Sequence, residues 1–240
     1  MINTFTIEQT GSEPDWEQID IINAWGAPGD REDDGIYHKF CIDHGLDFLD
    51  FGSAKNRFGK GERPFIGACT LALQYNGEMK PRYDMILIDE AQDFPPEFLR
   101  LCYKYVAPPK RLVYAYDELQ SLTGIAVLPP EELFGRDSAG KPYVEIDTSE
   151  MATPRQDVIL EKCYRNSRPV LTAAHALGFG IYRTGGLVQM FNEDALWTDV
   201  GYVVIDGSLE PGKNVTLSRT PESSPVFLEE HSLPSDLIQF

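Results

Sequence analysis

Several things are scarce in this chain, and each scarcity removes a class of protein. The four cysteines (Cys41, Cys69, Cys102, Cys163) are far apart and form no CxxC pair. That spacing fits reduced, buried thiols and argues against a disulfide framework or a zinc site. Basic residues are outnumbered 21 to 38 by acidic ones, a net charge of −17. Binding of nucleic acid by the whole surface is therefore excluded, and any polyanion contact needs a local basic patch. Nothing approaches the roughly 20 consecutive apolar residues of a membrane span. Met1-Ile2-Asn3-Thr4 supplies no basic leader followed by a long apolar core, so a cytoplasmic location and no membrane partner are expected. Neither an internal repeat nor a low-complexity segment interrupts the 240 residues, enough for one large domain or two modest ones.

What is present centres on Met85-Ile86-Leu87-Ile88-Asp89-Glu90-Ala91-Gln92-Asp93. Four apolar residues give way to two adjacent carboxylates, an amide and a third carboxylate. A buried strand ending in acids presents them at the carboxyl edge of a sheet, where α/β proteins bind ligands. One such acid can hold Mg²⁺ and its neighbour can orient or deprotonate an attacking water. Helix capping by Glu90 or Asp93 would explain one acid, but not two directly after the strand.

Around this run the pattern alternates. Residues 2–8 and 17–25 carry β-favouring side chains, and 26–35 reads as an exposed loop. Helices are expected from about Gly35 to His44 and after Pro64, followed by strand 84–89, a helix over 95–106 opened by Pro95-Pro96, and strand 111–116. That succession has the length of a right-handed strand–helix–strand unit in a parallel sheet. Beyond a Pro/Gly-rich connector over 124–156, with a short helix near 130–134, Val158-Ile159-Leu160 suggests another strand and 168–180 a helix. Strands are expected near 201–205 and 214–218. The fold class is α/β.

Two further segments carry polar chemistry. Tyr116-Asp117-Glu118-Leu119-Gln120-Ser121-Leu122 places Gln120 just after a strand end, where an amide can reach a γ-phosphate or its attacking water; alone it is an ordinary surface turn. In Cys163-Tyr164-Arg165-Asn166-Ser167-Arg168-Pro169-Val170, Arg165 can clamp phosphate oxygens and Tyr164 can stack on a base. Alone, that pair is a packed ring and a surface salt bridge.

Taken in order and spacing, ILIDEAQD (86–93), YDELQSL (116–122) and CYRNSRPV (163–170) resemble the UvrD/Rep-like superfamily 1 DNA helicases, over about residues 83–183. The resemblance implies a RecA-like parallel sheet flanked by helices over 1–150 and the beginning of a second, incomplete α/β motor domain over 151–240. It also implies that Asp89 holds Mg²⁺, Glu90 is the base, Gln92 and Gln120 sense the γ-phosphate, Tyr164 stacks on the adenine of ATP, and Arg165 touches the γ-phosphate. The family's usual glycine before the second motif's Asp is Tyr116 here.

One half of such a site is missing. A phosphate loop needs G-x-x-x-x-G-K-[ST]. The nearest stretch, Gly52 to Gly61, fails on spacing and has Gly61 where a hydroxyl is required. Arg219 is a superficial candidate for the arginine that closes the family's site from the far end, against the plainer reading of an exposed turn residue. The chain is thus expected to be an internal piece of a helicase, partnered by the remaining segments of its parent and inactive alone. A rival from another class is a non-catalytic nucleic-acid- or protein-binding module with a degenerate helicase fold. A third reading is a metal-dependent phosphoesterase built on Asp89, Glu90 and Asp93, which no histidine accompanies.

Two constellations complete the reading. Lys55, Arg57, Lys60 and Arg63 alternate with Phe51, Phe58 and Phe65, a mixture suited to single-stranded DNA or to a solvated basic loop flanked by core aromatics. His38, Cys41 and His44 spread over about 300° of a helix, which suits packing and not a shared metal.

Overall fold

The computed structural model describes residues 2–27, 35–117, 128–147, 156–178, 194–210, 213–224 and 237–239. They form a mixed α/β structure in two compact units, Met1–Glu145 and Ile146–Phe240.

In the first unit the helix α2 (Ile36–His44) is the central element, with Ile36, Tyr37, His38, Lys39, Phe40, Cys41 and His44 all buried. A helix buried so completely must find partners for its first amides. The carbonyls of Asn23, Ala24 and Trp25 accept from the N–H groups of Ile36, Tyr37 and His38 at 2.9, 3.0 and 3.1 Å. Gly45, in the left-handed region at φ 63°, closes the helix. Helices α3 (Phe51–Phe58) and α4 (Arg63–Leu73) follow, then strand β1 (Tyr83–Ile88), helix α5 (Pro96–Tyr105) and strand β2 (Val106–Tyr114). Around α2 pack Ala68, Cys69 and Ala72 of α4, Ile86 and Ile88 of β1, and Phe98, Leu99, Leu101, Cys102 and Tyr105 of α5. A short helix α6 (Pro130–Leu133) adds Leu133 to this core.

β1 and β2 pair in parallel, with Ile86 opposite Leu112, Leu87 opposite Val113 and Ile88 opposite Tyr114. The strand–helix–strand unit expected from the sequence is present. Among the described residues one face of this two-stranded sheet is covered: Ile86 and Ile88 point into the core, whereas Leu87 is 71% exposed and Met85 and Val113 are about equally open at 50% and 53%. Parallel strands are ordinarily covered on both faces.

Three sequence expectations need correction. Residues Ile2–Thr10 form a helix, α1, and not a strand. A strand needs a neighbour for its amides, and here the segment satisfies its own, helped by Thr10 Oγ1 donating to the Thr6 carbonyl at 2.8 Å. Residues 17–25 are irregular apart from one isolated bridge between Asn23 and Gly35. Val158-Ile159-Leu160 is irregular and exposed, with no ladder partner among the described residues.

The second unit holds α7 (Arg168–Gly178), α8 (Asp194–Asp199) and strands β3 (Tyr202–Gly207), β4 (Val215–Arg219) and β5 (Leu237–Gln239). The strands form one sheet in the order β3-β4-β5, antiparallel throughout. The parallel arrangement of the first unit is therefore not repeated among these strands. Trp197 and Tyr202, both fully buried, meet edge to face at 5.8 Å. Among the described residues no helix is long and apolar enough to cross a membrane.

The thiols of Cys41, Cys69 and Cys102 are free and buried. Burial pushes the Cys41 thiol up to about 11 and raises the other two as well. His44 is committed to structure: one ring nitrogen bonds the Phe40 carbonyl at 2.8 Å and the other accepts from the Lys80 amide at 3.0 Å.

At the lower end of the sheet, Asp20 accepts from the almost fully buried Lys39 ammonium at 2.8 Å and from the Tyr83 hydroxyl at 2.9 Å. Lys39 first, then Tyr83 and the more distant Arg82, outweigh partial burial and hold the Asp20 carboxyl below its ordinary value of 3.8. A depressed carboxyl stabilises the fold above its unfolded value, and that contribution disappears as pH falls through the folded value. Asp20→Asn should therefore cost about 1–2 kcal/mol at neutral pH, a figure discounted for the exposure of Asp20. The cost should shrink towards zero as pH falls through the lowered folded value of Asp20. Urea midpoints at neutral and at acid pH measure it, and a pH-independent cost would contradict the ion pair.

Candidate functional site

The site grows from the end of β1. Ile86 and Ile88 anchor the strand in the core, and the next two residues, Asp89 and Glu90, emerge exposed at its carboxyl end. Glu90 adopts a left-handed conformation, φ 52° and ψ 45°, a cost of about 1 kcal/mol or more for a side chain of this kind. What holds it there is the neighbouring strand. The turn at Glu90 sends the Ala91 amide to the Ala115 carbonyl at 2.8 Å, and the Ala115 amide returns to the Ile88 carbonyl at 2.9 Å. The Asp89 carboxylate accepts from the Glu90 amide at 3.1 Å, and a short 3₁₀ turn, Ala91–Asp93, leads on to α5.

Gln92 lies beneath this turn and is 3% exposed. Its Nε2 donates to Glu90 Oε2 at 2.5 Å, and its Oε1 accepts from the Asp117 amide at 3.0 Å. The orientation of the amide is fixed by its partners, since an N–H can only donate and an ionised carboxylate only accept. Two of the three sequence motifs, 86–93 and the start of 116–122, are thus brought together by one buried side chain. The resemblance assigns Gln92 to sensing phosphate, yet here both ends of its amide are already committed. Gln120 lies outside the described residues.

Among the described residues no three His, Cys, Asp or Glu side chains gather into a metal cage. Mg²⁺ in phosphate-processing sites is held by one or two carboxylates, with waters and phosphate oxygens completing its shell. The exposed Asp89 and Glu90 fit that donor set and not a protein-only cage.

The third motif belongs to the second unit. Tyr164 is 71% exposed and Arg165 is exposed beside it, in a turn that precedes α7. The turn is tied down by the Cys163 amide donating to the Ser223 carbonyl at 2.9 Å and by the Asn166 amide reaching Cys163 Sγ at 3.3 Å.

Arg219 corrects the sequence reading. It is no exposed turn residue but a buried one, 2% exposed at the end of β4. Nη2 donates to the Glu161 carbonyl at 2.9 Å and the Ser223 carbonyl at 3.1 Å, Nε donates to Ser224 Oγ at 2.9 Å, and Nη1 donates to the Val200 carbonyl. The guanidinium also lies 5.2 Å from the Tyr202 ring centre. Its work is to fasten the irregular segment before Tyr164 to the end of the sheet. Local sequence gives no sign of this, because its partners come from positions far apart along the chain.

The basic constellation is built on a helix that the sequence reading missed. Asp50 caps α3 by accepting from the Ser53 amide at 2.6 Å, and Gly59 ends it. Lys55 and Arg57 stand exposed on α3, Lys60 in the following turn and Arg63 at the start of α4. The aromatics divide. Phe65 stacks on Trp25 at 4.7 Å and belongs to the core, whereas Phe51 is 56% exposed, with Lys55 5.8 Å above its ring. Arg57 lies over Phe58 at 5.5 Å. Because Phe51–Phe58 is helical, most of the Gly52–Gly61 stretch is helix and not a loop of free amides facing a ligand.

Comparison of the chain with protein-family models, with curated proteins and with solved structures found no match.

Proposed function

We propose that this chain is a piece of an ATP-driven DNA-translocating motor of the UvrD/Rep-like kind, with the RecA-like arrangement in its first unit. One observation carries the reading: two adjacent carboxylates stand at the carboxyl end of a parallel strand, and one of them, Glu90, is tied through Gln92 to the Asp117 amide just beyond the next strand. The ordered resemblance of 86–93, 116–122 and 163–170 supports it. Asp89 would hold Mg²⁺, which would draw charge from the transferring phosphoryl group. Glu90, exposed at the strand end, orients and deprotonates the attacking water. Tyr164 and Arg165 offer a stacking face and a bidentate donor for nucleotide. Lys55, Arg57, Lys60 and Arg63 offer single-stranded DNA a basic surface with an exposed ring, Phe51, beside it. The proposed motor is cytoplasmic, and a phosphate loop of the form G-x-x-x-x-G-K-[ST] is not found within these 240 residues.

The test is ATP hydrolysis by the complete motor with and without single-stranded DNA. Stimulation by DNA is expected. Replacing Lys55, Arg57, Lys60 and Arg63 by Ala should abolish it, leave the DNA-independent rate intact, and flatten the salt dependence of binding by up to about 3 units of slope. DNA binding that persists without any hydrolysis would favour the binding-module reading. The open face of the parallel sheet, Met85, Leu87 and Val113, is the observation on its side.

A further inference from the structure

We propose that Gln92 is a positioning residue: it sets the Glu90 carboxylate from the end of β2 and is not itself a contact to phosphate. The proposal rests on the reading that Glu90 handles the attacking water.

Its basis is the geometry of the amide. Gln92 is buried, so a phosphate could reach it only after the turn above it opened. Its one acceptor is used by the Asp117 amide at 3.0 Å, and one of its two N–H bonds points at Glu90 Oε2 at 2.5 Å. A phosphate could bond the remaining N–H only at the cost of that buried position. Glu90 is meanwhile held at two points from β2. Its backbone is fixed through the Ala91–Ala115 bond at 2.8 Å, and its carboxylate is fixed through Gln92. Glu90 occupies a left-handed conformation that a free strand end would relax, so both restraints bear on one strained residue. Because the far end of the Gln92 amide rests on Asp117, a shift of that amide by about 1 Å lengthens the bond beyond hydrogen-bonding distance. The Gln92 side chain is then free to turn, and the Glu90 carboxylate turns with it. Whatever displaces the Asp117 amide therefore reorients the base.

The first experiment needs no hydrolysis. In the 240-residue chain, NMR follows the Gln92 side-chain NH₂ group. In the unaltered protein one of its N–H bonds should show scalar coupling across the hydrogen bond to the Glu90 carboxyl carbon. In Glu90→Ala the coupling partner is gone, and the Gln92 NH₂ resonances should shift and exchange faster with solvent. Absence of the coupling in the unaltered protein overturns the proposal even where a variant fails to fold. So do NH₂ resonances and exchange left unchanged in a folded Glu90→Ala.

The second experiment separates positioning from contact. In the complete motor, Gln92→Met should lower kcat by about 10–100-fold with KM for MgATP unchanged, as loss of an outer partner does. A raised KM at constant kcat would make Gln92 a nucleotide contact and overturn the proposal. A Gln92–Glu90 coupling present in a motor that hydrolyses nothing would leave the clasp standing and sink the functional reading instead.

Discussion

Glu90→Gln should lower DNA-stimulated ATP hydrolysis by the complete motor by a factor of about 10²–10⁴, the contribution of a positioned general base. The exchange is nearly isosteric and isolates the chemistry from the structure. A glutamine at 90 keeps a carbonyl oxygen that can accept from Gln92 Nε2, so the clasp to the end of β2 is preserved. The Ala91–Ala115 bond involves only backbone and is untouched. On the proposed reading Asp89 would remain to hold Mg²⁺, so MgATP should bind with KM within about twofold, the pattern of an interaction made only in the transition state. What would disappear is the group proposed to take the proton of the attacking water. Full hydrolysis by Glu90→Gln would end the assigned mechanism. A Mg²⁺-dependent, ATP-independent cleavage of DNA that needs Asp89, Glu90 and Asp93 together would restore the phosphoesterase reading.

Legibility in the sequence followed the range of the interactions involved. The apolar run Met85–Ile88, its acids and the Pro95-Pro96 start of α5 are local signals, and the parallel pairing of β1 with β2 is as expected from them. β2 begins at Val106, five residues before the expected 111, because Pro108 and Pro109 look like breakers. A proline is tolerated where a strand's amide faces no partner, and β2 has β1 on one side only. Lys110, at φ 68°, donates to the Val106 carbonyl at 2.6 Å and the Tyr103 carbonyl at 3.2 Å, joining the last turn of α5 to the strand. The helix α3 escaped notice because its lysine, arginine and phenylalanine pattern suggested a basic loop, although Asp50 and Gly59 mark its ends. Gln92 is polar in a polar run, and nothing local distinguishes a buried amide from an exposed one. Its partner amide, Asp117, lies 25 residues away, just past the end of the next strand.

Arg219 is the extreme case of that dependence on distant partners, and its removal should be the most damaging single change in the second unit. Arg219→Ala should destabilise the unit by about 3–5 kcal/mol, the range for removing one partner of a buried charged network. The carbonyls of Val200, Glu161 and Ser223 would lose their guanidinium donors at once, and Tyr202 would lose the cation over its ring. That loss is comparable to a large share of a domain's total stability, about 5–15 kcal/mol. Arg219→Lys should recover less than half of it. An ammonium is a single point of charge, whereas the planar fork reaches partners before Tyr164, after α8 and beyond β4 in different directions. Amide hydrogen exchange reads the effect by place. In Arg219→Ala the Cys163 amide, bound to the Ser223 carbonyl, should exchange faster along with β4, while Ile86, Leu87 and Ile88 in the other unit keep their protection. An Arg219→Ala protein within about 1 kcal/mol of the original would show that the guanidinium is dispensable. If stability falls and Tyr164 loses its fixed environment with it, the order of the whole turn that presents Tyr164 and Arg165 depends on an arginine 54 residues further along the chain.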